Sequence, residues 1–125
     1  MKYIAIETAP KAVGPYTQAI ISNGFIFCSG QIGLDPKTNE LVDGLEAQVH
    51  QVLRNLTEVL KAGNSSLESI VKTTVYLVDI NDYVKMNEIY GQYFSEHKPA
   101  RAAFAVAHLP KNALIEIEVV AEVKK

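Results

Sequence analysis

Arg101 and Glu116 are the residues from which small-molecule chemistry could be built. Both lie in Lys98–Glu118, KPARAAFAVAHLPKNALIEIE. Arg101 is one of only two arginines in the chain, the other being Arg54. Its neighbours Ala100, Ala102 and Ala103 leave the guanidinium unobstructed. A planar guanidinium on a stiff strand is the usual means of gripping a carboxylate. The alternation Ile115-Glu116-Ile117-Glu118-Val119 reads as a strand with one apolar and one polar face. A carboxylate on such a face can hold a water or accept a proton. Most strand arginines and polar-face glutamates, however, are simply solvated or paired at the surface. Taken alone, these residues are better read in that ordinary way; two further stretches change the balance.

The first is Val13-Gly14-Pro15-Tyr16-Thr17-Gln18-Ala19. Gly-Pro signals a turn, and Pro15 fixes the backbone just before Tyr16. A phenol held on a rigid turn can bind a ligand; it can equally sit wet at the edge of the core. The second is Cys28-Ser29-Gly30-Gln31, at the end of an apolar run. A glycine there lets a ligand approach the backbone and reach its N–H, although Ser29-Gly30 is also an ordinary strand terminator. Cys28 reads as a small buried apolar residue and not as a nucleophile, because no partner base is evident. His50, His97 and His108 are scattered without metal-ligand spacing, so no metal site is expected.

Composition narrows the function classes. The chain has 125 residues and a net charge of −2, enough for one domain over residues 1–125 with a modest core. No basic stripe is present, so nucleic-acid binding is not supported. No apolar run approaches the roughly 20 residues that span a bilayer. The segment MKYIAIETAP lacks the apolar stretch of a secretory signal, and a single cysteine suggests a reducing compartment, most simply the cytoplasm.

The elements that must position these residues follow in order. Lys2–Glu7 reads as a short strand. Ala19–Ser22 and Phe25–Ser29 flank Asn23-Gly24, a strong hairpin signal. Alternation puts Phe25, Phe27 and Ser29 on one face, with Ile26 and Cys28 on the other. Ile32–Gly44 reads as a polar loop. A helix starts near Leu45, with Asp43 as N-cap and Glu46 completing a capping box. Its stripe is Leu45, Val49, Val52, Leu53, Leu56, Val59 and Leu60, Gly63 caps its end, and His50 lies off the stripe in solvent. Ser69–Val78 is a β-branched strand. A second helix begins near Asn81-Asp82 and turns Tyr83, Met86, Ile89, Tyr90, Tyr93 and Phe94 inward as core, with Asn87 off the centre of that stripe. Ala100–Val106 and Ile115–Val123 are the last strands.

The order β-ββ-α-β-α-β-β predicts an α+β fold: a single mixed β-sheet with two helices packed on one face. Nothing remains to cover the other face, which carries Phe25 and Phe27 or their neighbours. Such a face predicts oligomerisation.

Taken together, Gly14-Pro15-Tyr16-Thr17-Gln18-Ala19, Cys28-Ser29-Gly30-Gln31-Ile32, and Pro99-Ala100-Arg101 through Leu109-Pro110-Lys111 to Ile115-Glu116-Ile117-Glu118 resemble the RidA (YjgF-type) family of reactive intermediate deaminases. The ordered set runs from end to end of the chain. The resemblance implies a chorismate-mutase-like fold and a homotrimer with active sites between subunits. It implies hydrolysis of enamine and imine intermediates, such as 2-aminoacrylate, to 2-keto acids and ammonia, with no cofactor or metal. The substrate would be a small carboxylate-bearing imine. By position, Arg101 matches the arginine that grips the substrate carboxylate, and Glu116 the glutamate that positions or activates water. Tyr16 and Ser29 match the site's hydroxyl residues. Gly30 matches a backbone donor, and Asn87 a polar helix residue bordering the site. The chain departs from many relatives at Ala103, where they carry cysteine, which argues against thiol chemistry.

A simple hairpin between the last two strands would set Arg101 opposite Glu122 and about 20 Å from Glu116. Either those strands are not neighbours, or the site takes residues from two subunits; the resemblance favours both. The main alternative is a non-catalytic sensor that binds 2-keto acids or similar carboxylates without turnover. Nucleic-acid and chaperone-like roles are weaker rivals.

Overall fold

Asn23 and Gly24, with φ of 52° and 83°, occupy the left-handed conformations that a tight hairpin turn requires. They join strand β2 (Ala19–Ser22) to β3 (Phe25–Ile32), in the register Ser22↔Phe25 to Ala19↔Cys28. The structure, a computed structural model, describes all of residues 1–125. The remaining elements are β1 (Lys2–Ile4), α1 (Leu45–Ala62), β4 (Ile70–Leu77), α2 (Tyr83–Tyr93), β5 (Ala100–Ala105) and β6 (Ile115–Glu122). The strands form one six-stranded sheet in the order β1-β2-β3-β6-β4-β5. Only β4 and β5, joined through α2, run parallel; the rest pair antiparallel. The expected mixed sheet with two helices is therefore what forms.

Period-two alternation decides what each face carries. Ile115, Ile117, Val119 and Ala121 of β6 are buried with Ile26 and Cys28 of β3 and Val75 and Leu77 of β4. Against them α1 lays Val49, Val52, Leu53, Leu56, Val59 and Leu60, and α2 adds Met86 and Ile89. Burying one such leucine stabilises the fold by about 2 kcal/mol. The opposite face has no helix. Phe27 is 47% exposed there and Phe104 44%.

Several boundaries differ from the sequence expectation for identifiable reasons. β1 stops at Ile4 because the Gln18 side chain takes over the pairing. Its amide accepts from Ile6 N–H and donates to the carbonyls of Ile6 and Pro10, at 2.7, 3.0 and 2.8 Å. β3 runs on to Ile32. The following loop is not polar throughout: Leu34 is buried and bridges to Leu41. Asp43 does not cap α1. The N-cap is Gly44 at φ 89°, and no side chain bonds the first turn. At the other end Gly63 does cap the helix. His50 is not free in solvent, since its Nδ1 lies 2.6 Å from the Tyr93 hydroxyl between the two helices. Finally, β5 and β6 are not neighbours, because β4 pairs with both.

Candidate functional site

Glu116 owes its setting to an irregularity in β3. That strand pairs with β6 as Cys28↔Val119 and then as Gln31↔Ile117, so an extra residue is absorbed at Ser29-Gly30. A bulge of this kind re-aims side chains near the end of a ladder. Here it brings Gly30 directly beneath the Glu116 side chain. A Cβ at residue 30 would collide with Glu116 Oε2 and lie 2.8 Å from its Cδ. Only glycine leaves that carboxyl its place.

The carboxyl opens into a cavity of about 150 Å³. Tyr16, Gly30, Lys11 and Lys111 line it with Glu116, and Val13, Ile32, Leu34 and the two prolines Pro10 and Pro110 supply apolar walls. Burial raises the Glu116 pKa above the ordinary carboxylate range, and the charge of Glu118 adds to the effect. Glu118 is engaged otherwise, accepting the hydroxyl of Tyr76. That bond is the largest cause of the Tyr76 phenol being pushed up to about 12. Lys111, which lines the cavity, and Asn112 after it both adopt left-handed conformations, φ 56° and 60°.

Ser29 stands beside this cavity without lining it. Its hydroxyl donates to the Thr17 carbonyl at 2.5 Å, and its N–H donates to the Gln18 carbonyl at 2.9 Å. Those bonds fix the segment that carries Tyr16. Cys28 is buried on the helix side, and burial pushes its thiol up to about 12, which suits a packing role and not a nucleophile.

Arg101 lies elsewhere. On edge strand β5 it sits opposite Thr73 of β4, and its side chain runs to α2. Nη1 donates to Asn87 Oδ1 at 2.7 Å and Nη2 to the Tyr83 hydroxyl at 3.0 Å. The Tyr90 ring centroid is 4.9 Å from its guanidinium carbon, within cation–π range. Tyr90 is itself held by Thr73, hydroxyl to hydroxyl at 2.8 Å. The Asn87 amide and then the Arg101 charge hold the Tyr83 phenol below its usual range.

Thus Tyr16, Gly30 and Glu116 come together, and so do Arg101 and Asn87, but the two groups are apart. Arg101 is registered with Thr73 and Glu116 with Tyr76. Three residues along β4 and two strand spacings across give a separation of about 14 Å between backbones. The side chains also point to opposite faces, Arg101 toward α2 and Glu116 toward the helix-free side. One group is a carboxyl of raised pKa in a partly apolar cavity; the other is a guanidinium braced by α2, of a shape that can pair with a carboxylate. Sequence reasoning missed Lys11 and Lys111 at the cavity, and treated Tyr83 and Tyr90 as core alone. The signal for the last two was the spacing of Tyr83, Asn87 and Tyr90, which places all three on one helix face.

A family profile described as Endoribonuclease L-PSP matches residues 6–123. The chain is 53% identical over 119 residues to a RutC family protein of Pyrococcus horikoshii, covering 94% of each. It is 50% identical over 121 residues to 2-iminobutanoate/2-iminopropanoate deaminase of Homo sapiens, covering 96% of this chain and 88% of that one. It superposes with a TM-score of 0.94 on E. coli TdcF solved with bound serine, at 37% identity, covering 99% of this chain and 100% of that one.

Proposed function

Because the chain belongs to the RidA (YjgF-type) family, whose profile bears the Endoribonuclease L-PSP description, we propose that it hydrolyses enamine and imine intermediates, such as 2-aminoacrylate, to 2-keto acids and ammonia. The observation that carries this reading is the desolvated Glu116 carboxyl held over Gly30 in a cavity shared with Tyr16. A relative at 50% identity is named as a deaminase of this type, and TdcF was solved with serine, itself a small carboxylate-bearing amine.

The proposed chemistry needs little beyond positioning. An enamine first takes a proton on carbon from solvent water to become an iminium-like electrophile. Water then adds across the C=N bond, and nitrogen leaves as ammonia. Glu116, with its raised pKa, aligns the water and accepts its proton before returning one to the departing amine. Tyr16 and the Gly30 N–H border the same space. Arg101 fixes the carboxylate with Asn87 beside it, and a bidentate grip sets the pose. Ser29 contributes by holding the Thr17 carbonyl, and so the Tyr16 turn. Since Arg101 and Glu116 lie about 14 Å apart on opposite faces, we assign the complete site to two copies of the domain. In the homotrimer of this proposal, the β5 edge that carries Arg101 of one subunit meets the Glu116 cavity of the next.

A second reading, a binder of 2-keto acids or similar carboxylates without turnover, draws on the same arginine clamp and on the serine complex of TdcF. The profile's Endoribonuclease L-PSP description names a ribonuclease, but a net charge of −2 does not favour binding of a polyanion.

The test generates the imine in situ with an amino-acid oxidase or a serine/threonine dehydratase, with semicarbazide competing for it. Wild type should speed 2-keto acid formation, while folded, oligomeric Arg101→Ala and Glu116→Ala should not. Glu116→Ala should still bind 2-oxobutanoate. No acceleration by wild type, with 2-oxobutanoate binding intact, would replace the enzyme with the sensor.

A further inference from the structure

We infer that Tyr83 is a positioning residue for substrate recognition, acting through Arg101 from the first turn of α2. This deepens the proposed use of Arg101 as a carboxylate clamp and rests on that use.

An arginine on an edge strand between alanines has nothing in its own strand to hold it. Left free, its long side chain samples many rotamers, and binding must then order it. The structure supplies the restraint from α2. Tyr83, Asn87 and Tyr90 stand at i, i+4 and i+7, one face of that helix. Asn87 Oδ1 takes one N–H of Nη1 at 2.7 Å, and the Tyr83 hydroxyl takes one N–H of Nη2 at 3.0 Å. The Tyr90 ring supports the guanidinium at 4.9 Å. Both terminal nitrogens are thus tied, one by each residue, and the plane is fixed. Each keeps a second N–H, and Nε–H is also unspent, so a planar donor edge remains for a carboxylate.

Tyr83 differs from Tyr90 in what its hydroxyl does. Tyr90 is buried and bonded to Thr73, so it serves the core as well. The half-buried Tyr83 ring also packs against the core, but its hydroxyl accepts from Arg101, and phenylalanine would keep the ring while losing that acceptor. The depressed phenol pKa, caused by the Asn87 amide and the Arg101 charge, agrees with a hydroxyl whose oxygen is used as an acceptor. Removing that oxygen should free one end of the guanidinium and leave the core alone.

The experiment is a double-mutant cycle on the whole 125-residue chain. Binding of 2-oxobutanoate is measured by calorimetry, and imine turnover by the coupled assay. Loss of one charge-assisted hydrogen bond predicts that Tyr83→Phe weakens 2-oxobutanoate binding and raises KM about tenfold, with kcat within about twofold of wild type. In an Arg101→Ala background the same substitution should change binding less than about twofold. Unchanged affinity and KM in Tyr83→Phe would overturn the inference, as would an equal loss in the absence of Arg101, which would mark a structural role. If wild type binds 2-oxobutanoate with this Tyr83 dependence but turns over no imine, the inference stands and the deaminase reading falls. If wild type turns over imine without binding 2-oxobutanoate and Tyr83→Phe leaves KM unchanged, the inference falls and the deaminase reading stands.

Discussion

Gly30→Ala tests the geometry of the cavity most directly, because it adds one carbon and removes no functional group. The backbone N–H at residue 30 is retained. The conformation of Gly30 is also open to alanine, since the glycines with left-handed φ are Gly24 and Gly44. The new Cβ would collide with Glu116 Oε2 and lie 2.8 Å from Cδ and 3.1 Å from Cγ. Carbon contacts relax only at about 3.5–4.0 Å, so the carboxyl must retreat by about 1 Å. A displacement of that size costs about 10²-fold in rate, or ~2.7 kcal/mol of transition-state stabilisation. Stability should move little, because alanine gains up to about 1 kcal/mol over glycine within a strand and that offsets part of the crowding. The coupled imine assay should therefore show kcat/KM reduced about 10²-fold with an unfolding midpoint near that of wild type. In a Glu116→Ala background the same substitution should be almost silent, since nothing remains to displace. Wild-type activity in Gly30→Ala would refute the placement of Glu116. So would a 10²-fold loss that persists without the glutamate.

Two other outcomes follow from the same site. Burial raises the Glu116 pKa, so the folded chain holds that proton more tightly than the unfolded chain does. Its favourable contribution is complete below the ordinary carboxylate range and is lost as pH rises through the raised value. Glu116→Gln should consequently unfold at an equal or higher temperature than wild type at pH 7.5 while losing about 10²- to 10³-fold in kcat. Any thermal advantage should vanish at pH 4, and a variant less stable than wild type at pH 7.5 would contradict this. Phe27→Asp places a charge on the helix-free face, where Phe27 is 47% exposed. Light scattering should show dissociation and the assay should show loss of turnover; a folded monomer with full activity would sink the two-copy site.

How much was legible in the sequence depended on the range of the interaction that decides each feature. Asn23-Gly24 set the first hairpin, and the α1 stripe set its buried face, because both follow from local backbone and side-chain periodicity. The alternation in β6 placed Glu116 and Glu118 on one face for the same reason. The contact of Gly30 with Glu116 was not legible. It depends on a bulge whose extra residue is visible only once β3 is paired with β6. The early end of β1 was hidden likewise, since the Gln18 side chain reaches back twelve residues to do what a strand would have done. Asp43 looked like a helix cap by residue type, yet Gly44 at φ 89° turns the chain before Asp43 can reach the first turn.

Arg101 shows most clearly how position along a strand and position in a sheet differ in what they reveal. Its flanking alanines suggested an unobstructed side chain, whereas the guanidinium is held by Asn87, Tyr83 and Tyr90 of α2. The alanines gave no sign of which face it takes, because an edge strand of small residues has no apolar alternation to settle the matter. Pairing with β4 settles it. Thr73 faces α2, and Arg101, its partner in the ladder, does the same. Glu116 is fixed to the other face by Ile115 and Ile117, both fully buried. Neither side chain can change sides without slipping a strand register and exposing its buried neighbours. On the proposed function, two groups held so firmly apart serve one small carboxylate only if a second copy of the domain completes the site. The proposal has a physical basis in the sheet face without helices, where Phe27 and Phe104 are exposed and their burial against a second copy would be favourable.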